Sequence, residues 1–305
     1  MLLERTQGYG ASFNNLYLLE DKIKKEAKNT YGISKIQKEI IFYKFVQEYK
    51  CLPMPEFIES TDSSYTMRFI KAAPLFHIFP QFTTEQKETV LETIYTYLSI
   101  LHKTKSITVS KELYKKSFEI EMVSKLIKRY DEIKDILNEF KFVKSVNGVL
   151  IQSFDIYLGH LSILLDEHIE SKKDYIFSPI HGDCQFNNIL YNNATSDVIF
   201  IDPRGYFGDN DLYGPPEYDF AKVLFALSGY DAFDAREVTG LDISGSNITL
   251  EIPTLVHEPL AQTKNRFLSQ LVVSIWMGNA HCFKHNKFKT AYSYFIAMYY
   301  ASLYL

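Results

Sequence analysis

The 305-residue chain has one tryptophan, three cysteines and little net charge. The cysteines (Cys51, Cys184, Cys282) are far apart, odd in number and include no CxxC pair. That argues against a disulfide framework and against a cysteine-based zinc site. Free thiols fit a reducing cytoplasm, which is the expected location. No stretch reaches the ~18 uninterrupted apolar residues of a membrane helix, so no membrane partner is expected. Met1-Leu2-Leu3-Glu4-Arg5 lacks the charged-then-apolar order of a signal peptide. A formal charge of −4 and a pI near 6.1 argue against a basic nucleic-acid-binding surface. There is no internal repeat and no low-complexity segment. What is abundant is apolar and aromatic: 46% of residues are hydrophobic, and 22 Tyr and 23 Phe raise the aromatic share to 15%. Such a chain buries a core instead of remaining disordered. Its length predicts two structural units.

The first seventy residues alternate in the manner of short strands around one helix. Leu16–Leu19 and Lys22–Ala27 flank the tight turn Glu20-Asp21. From about Ser34, a plausible N-cap, the period becomes helical, with Ile36, Ile40 and Tyr43 on one face. Phe57–Ser60 and Tyr65–Ile70 read as a hairpin. After Pro74 the pattern is mainly helical: a helix capped at Thr83 or Thr84 and running to about His102, then helices within 110–140 and 151–170. A β-rich patch follows at 176–201, a helix starts at Asp219, a hairpin lies at 241–252, and helices near 261–282 and 288–304 finish the chain.

The informative segment is Ile180-His181-Gly182-Asp183-Cys184-Gln185-Phe186-Asn187-Asn188-Ile189-Leu190, followed by Val198-Ile199-Phe200-Ile201-Asp202. Ile189–Tyr191 and Val198–Ile201 are short apolar runs separated by turn-forming residues, which predicts a hairpin. Asn188 and Asp202 flank its open end, so pairing brings an amide oxygen and a carboxylate together. Asp183 lies five residues before Asn188, within reach of the same spot. One neutral oxygen ligand, one charged one and a nearby free carboxylate suit Mg²⁺ and proton abstraction from a hydroxyl.

The spacing Asp183 to Asn188 is that of the kinase catalytic loop. The HGD form, the Asn-hydrophobic-Leu step and the strand ending in Ile-Asp resemble the aminoglycoside phosphotransferase family, which includes choline kinase-like small-molecule kinases. Leu101-His102 and Tyr218-Asp219-Phe220-Ala221 are similar to further family features. The resemblance implies an α+β, bilobal protein-kinase-like fold: a small β-rich N-lobe over 1–72 and a large, mainly helical C-lobe over 73–305. It implies transfer of the γ-phosphate of ATP, or GTP, to the hydroxyl of a small molecule. Asp183 would be the base, Asn188 and Asp202 the Mg²⁺ ligands, and His181 an organiser of the loop. Asp219 is either a plain N-cap or a brace for that loop.

A kinase also needs a strand lysine at the phosphates and a helix glutamate to hold it. Strand alternation puts Lys25 on the face of Ile23, with Lys24 and Lys28 left open should a bulge intervene. Glu39 is the only acid between Lys35 and Gln47. The loop at Gly8–Asn14 is placed to cover phosphates through the backbone of Gly10 and Ser12, and a simple turn is an equal reading there. The resemblance implies backbone contacts to the nucleotide base from Met67 to Ala72, with Met67 and Phe69 at its start. Arg204 follows the metal position by two residues and is set either to meet an anion or to pair with Asp209, Asp211 or Glu217. Arg204 and Glu217 are the candidate acceptor contacts. The acceptor is expected to be a sugar, an amino sugar, an aminoglycoside or an amino alcohol, and the competing reading is a catalytically silent nucleotide-binding pseudokinase. From Asp174 to Lys222 there are two basic and eight acidic residues, a local balance of −6 that leaves the rest of the chain at +2.

Overall fold

The computed structural model describes residues 2–3, 13–254 and 262–304. The chain forms two compact units, Met1–Ile107 with Ile176–Ala226, and Thr108–Tyr175 with Leu227–Leu305. In the first unit, β1 (Leu2–Leu3), β2 (Asn14–Leu19), β3 (Lys22–Ala27), β4 (Phe57–Ser60) and β5 (Ser64–Arg68) build an antiparallel sheet in the order β1-β2-β3-β5-β4. The β3 register is regular from Lys22 to Glu26, so alternation holds along it. The one irregularity is in β4, between Phe57 and Glu59.

Helix α1 (Thr30–Tyr49) packs on this sheet through Ile36, Ile40 and Tyr43, which meet Phe57, Tyr65 and Met67 in one buried cluster. It starts four residues before the Ser34 cap expected from sequence. The cap is Asn29, whose side chain accepts from the Gly32 N–H at 2.9 Å. Tyr31 and Gly32 are mediocre helix formers and hid this first turn. The glycine is there for space: a Cβ at Gly32 would lie 2.4 Å from the Phe13 carbonyl oxygen. Gly32→Ala should therefore force α1 away from β2 and lower stability by about 1–3 kcal/mol, read as a lower urea midpoint. An unchanged midpoint would mean that the helix gives way freely.

Chain segment 69–72 leads from β5 to Ala73–Pro74, which pairs with Leu190 and Tyr191. The hairpin Ile189–Asn192/Asp197–Phe200 therefore gains a third strand. The helix Thr84–Lys103 begins with a capping box between Thr83 and Gln86. A further helix, Glu217–Leu227, follows the loop segment beyond Asp202.

The second unit is built from helices Lys111–Phe118, Lys125–Asn138, Phe154–Glu170, Arg266–Ala280 and Lys287–Tyr304. A π-turn at Glu119–Ser124 interrupts what the sequence presents as one run over 110–140. The hairpin expected at 241–252 is present as Asp242–Ser244 and Asn247–Thr249, and it adds Ser145–Val146 in parallel. Trp276 is fully buried, and its indole N–H donates to the Ser228 hydroxyl at 2.8 Å. No described helix is long and apolar enough to cross a membrane.

Candidate active site

Regular alternation turns Lys25 to the helix side of β3. Lys24 instead pairs with Glu26 at 2.7 Å on the half-exposed face, and Lys28 is exposed. The Lys25 ammonium lies 2.7 Å from Glu39, and Glu39 also accepts from the Tyr65 hydroxyl at 2.7 Å. Lys25 pairs with Asp202 as well. Both Lys25 and Glu39 are buried. Burial works against the lysine's charge, but Asp202 and Glu39 outweigh it and hold its pKa above the ordinary value. Burial pushes the Glu39 carboxyl up, and Lys25 opposes that shift.

Asp202 arrives from the other side of the sequence by the expected hairpin. Ile189 pairs with Phe200, and the Ile201 N–H donates to the Asn188 carbonyl at 2.9 Å, so Asn188 and Asp202 sit at the open end. Asp202 then takes a left-handed backbone, φ 56°, which breaks the strand's alternation where its carboxylate meets Lys25. The Asn188 side-chain N–H₂ donates to the Asp183 carboxylate at 2.9 Å and to the Asp183 carbonyl at 3.1 Å. With its N–H₂ so engaged, Asn188 keeps an amide oxygen as a neutral donor, and with the Asp202 carboxylate this is donor chemistry that fits Mg²⁺. No group of three or more His, Cys, Asp or Glu that could hold a metal occurs among the described residues. His281, four residues before His285, meets Glu132 at 2.7 Å.

The Asp183 loop is held from beneath. Asp219 is fully buried and accepts from the His181 and Gly182 backbone N–H groups at 3.0 and 2.6 Å, and it meets the His102 ring at 2.9 Å. Of the two roles weighed for Asp219 from sequence, the geometry is that of the brace. Burial alone would raise its carboxyl, yet His102, His181 and the loop amide hold it below the ordinary range. His181 is fully buried; its Nε2 bonds the Ile201 carbonyl and its Nδ1 accepts from the Asp183 N–H. Burial lowers its pKa against the pull of Asp219, Asp183 and Asp202. Cys184 is buried and its thiol is pushed up by burial, which suits packing and not nucleophilic attack.

His181 and Asp219 should contribute to the acid limb of stability. Both folded pKa values lie below the unfolded ones, so the unfolded chain takes up protons first. Stability should begin to fall as pH drops below about 6.5, from His181, and fall further below about 4, from Asp219. Urea midpoints against pH should show a flatter acid limb in Asp219→Asn; a parallel limb would remove Asp219 from this account.

Sequence reasoning missed Lys222. It lies one turn beyond Asp219 on the helix Glu217–Leu227, and its ammonium is 2.9 Å from the second Asp183 oxygen. The i, i+3 spacing from Asp219 was the available signal. Asp183 raises the Lys222 pKa against the effect of burial, which would lower it. Arg204 donates to the Tyr218 hydroxyl at 2.7 Å, while Asp211 is taken by Lys38. Glu217 is half-buried at the start of its helix. Gly10 and Ser12 lie outside the described residues. Met67 is inside the sheet, paired with Ile23 and Phe57, so its side chain is core. The Phe69 N–H is taken by the Asp21 carbonyl. A ligand at segment 69–72 would instead meet the Phe69 carbonyl or the N–H groups of Ile70 and Lys71.

A five-stranded sheet with a buried lysine–glutamate pair, followed by the hairpin Ile189–Asn192/Asp197–Phe200, belongs to a protein-kinase-like α+β fold. Comparison with solved structures gives the same fold. An ethanolamine kinase from Plasmodium vivax aligns over 99% of this chain and 80% of its own, at TM-score 0.51 and 15% identity. A macrolide 2′-phosphotransferase type I aligns over 96% and 89% (TM-score 0.48, 12% identity), and an ADP-bound aminoglycoside phosphotransferase over 72% and 68% (0.45, 18%). No protein-family model and no curated protein matches the sequence.

Proposed function

We propose that the chain is a small-molecule kinase that transfers the γ-phosphate of ATP to a hydroxyl of a sugar, amino sugar, aminoglycoside or amino alcohol. The observation that carries this reading is the pairing of Lys25 with Asp202, whose neighbour Ile201 bonds the Asn188 backbone. Lys25 also holds Glu39, and Asn188 also meets Asp183. A binding module needs no carboxylate at position 183.

In this reading residues 1–72 form the nucleotide-binding lobe, and 73–305 carry the catalytic loop and acceptor site. Lys25, fixed by Glu39, meets the α/β-phosphates. Gly10 and Ser12 approach the phosphates, and the base meets the Phe69 carbonyl and the N–H groups of Ile70 and Lys71, with Met67 supporting that segment from the sheet. Asn188 and Asp202 would hold Mg²⁺, which neutralises phosphate charge when bound. Asp183, oriented by Asn188 and by the loop that His181 and Asp219 brace, accepts the proton of the acceptor hydroxyl. Arg204 and Glu217 contact the acceptor.

One observation favours the silent alternative: Lys222 sits on the proposed base. ADP release with Mg-ATP over a panel of sugars, aminoglycosides and amino alcohols decides between them. Acceptor-dependent release that disappears in Asp183→Ala supports the kinase. ATP binding with no acceptor response over the whole panel supports the pseudokinase.

A further inference from the structure

The last turns of helix α1, the segment 50–57 and the end of the helix Thr84–Lys103 enclose a cavity of about 450 Å³ within the first unit. Its walls include Tyr43, Val46, Leu52, Met54, Phe57 and Ile100. The Tyr43 and Phe57 rings, 5.8 Å apart and 22° from parallel, contribute aromatic surface, and Tyr97 adds a third ring. The volume is that of a small-molecule site, in which mostly apolar walls carry a few polar groups. Among the described residues, none placed in the proposed kinase chemistry lines it.

Most of the polar groups around the cavity are already engaged. The Gln47 amide donates to the Phe57 carbonyl at 3.2 Å. Glu56 is held by Arg68 at 3.2 Å. The Cys51 thiol is buried and pushed up by that burial, so it serves as wall and not as nucleophile. Lys50 and the Tyr97 hydroxyl remain, and neither has a side-chain hydrogen bond or ion pair with a described residue. Lys50 caps α1 with a left-handed backbone, φ 50°, a position where glycine costs least. The chain places a cation there instead. An ammonium group beside apolar and aromatic walls selects a ligand that is flat, apolar and negatively charged at one end.

We propose that this cavity binds a planar aromatic carboxylate, with its rings against the apolar walls and its carboxylate on Lys50. Two connections tie the site to the catalytic cluster. Tyr43 lies one turn beyond Glu39 on α1. The carbonyl of Pro53, a wall residue, accepts from the Phe200 N–H at 2.8 Å, two residues before Asp202. The cavity is open while Lys25 holds both Glu39 and Asp202. A ligand that fills it favours this arrangement and should tighten Mg-ATP binding. The coupling rests on the kinase reading; the binding site does not.

Naphthalene-1-acetate and the neutral naphthalene-1-acetamide are titrated calorimetrically into the full chain. The acid should bind about threefold tighter than the amide, the gain of one exposed ion pair. Lys50→Gln should erase that difference. Ile100→Trp, which adds volume at a rim position that is 46% exposed, should weaken both about tenfold or more. Ile100→Phe is the smaller step should the tryptophan variant not fold, and thermal melts check folding. No binding, equal binding of acid and amide by the wild-type chain, or binding untouched by the Ile100 variants overturns the site. The acid is then added to titrations of Mg²⁺ with a non-hydrolysable ATP analogue. Tighter analogue binding that is lost in the Ile100 variants supports the coupling, and unchanged analogue binding overturns it. A chain that binds the acid as expected but no analogue keeps the site and counts against the kinase reading instead.

Discussion

Asp183→Asn should slow acceptor-dependent ADP release by about 10²–10⁴-fold, the range expected when a positioned general base is lost. The Michaelis constant for Mg-ATP should move far less, because Asp183 belongs to the acceptor side of the loop. The change is nearly isosteric, but it is not silent structurally. Asp183 accepts from Asn188 through one oxygen and meets Lys222 through the other. An amide can keep the oxygen for only one of these partners, and the other then faces an N–H₂ group. Lys222→Gln separates the two effects, since it leaves the carboxylate and removes the cation. A drop in kcat confined to Asp183→Asn assigns the loss to the base; equal drops assign it to the ion pair.

Lys25→Met should have the largest effect on stability, about 3–5 kcal/mol by urea unfolding, and should abolish tight Mg-ATP binding. The side chain is similar in length and apolar, so packing is nearly kept. What changes is that Glu39 is left buried with one neutral partner, the Tyr65 hydroxyl, and near a second carboxylate. Breaking one partner out of a buried pair is costly for that reason. The loss should shrink at pH 5, where Glu39, already pushed up by burial, is free to protonate. Adding Glu39→Gln to Lys25→Met should recover much of the stability and none of the nucleotide binding. Recovery of both would take Lys25 out of the nucleotide site.

The local parts of this site were legible before folding. Two-residue alternation is enough to choose Lys25 over Lys24 once β3 is a strand without a bulge. A hairpin closed by turn residues is enough to bring Asn188 and Asp202 to one end. Glu39 followed from being the only acid between Lys35 and Gln47. Where sequence reading failed, long-range contact was the cause. The first turn of α1 hid because its glycine answers to the Phe13 carbonyl, far from any helical period. Lys222 entered only the charge count of its acidic stretch, because its contact with Asp183 spans 39 residues of sequence. Lys35 and Lys38 read as the solvated side of α1, yet both reach Tyr206, more than 160 residues away. A charge count along the chain could not find this, because it sums neighbours in sequence and not in space.

The central claim is phosphoryl transfer from ATP to a small molecule, and it is tested most directly on the product. ATP labelled in its γ-phosphate is incubated with the full chain, Mg²⁺ and the panel of sugars, aminoglycosides and amino alcohols, and the label is followed. The label should appear in a small-molecule acceptor, and Asp183→Asn should leave it in ATP. Label that stays in ATP with the wild-type chain, while ATP is bound, would contradict it.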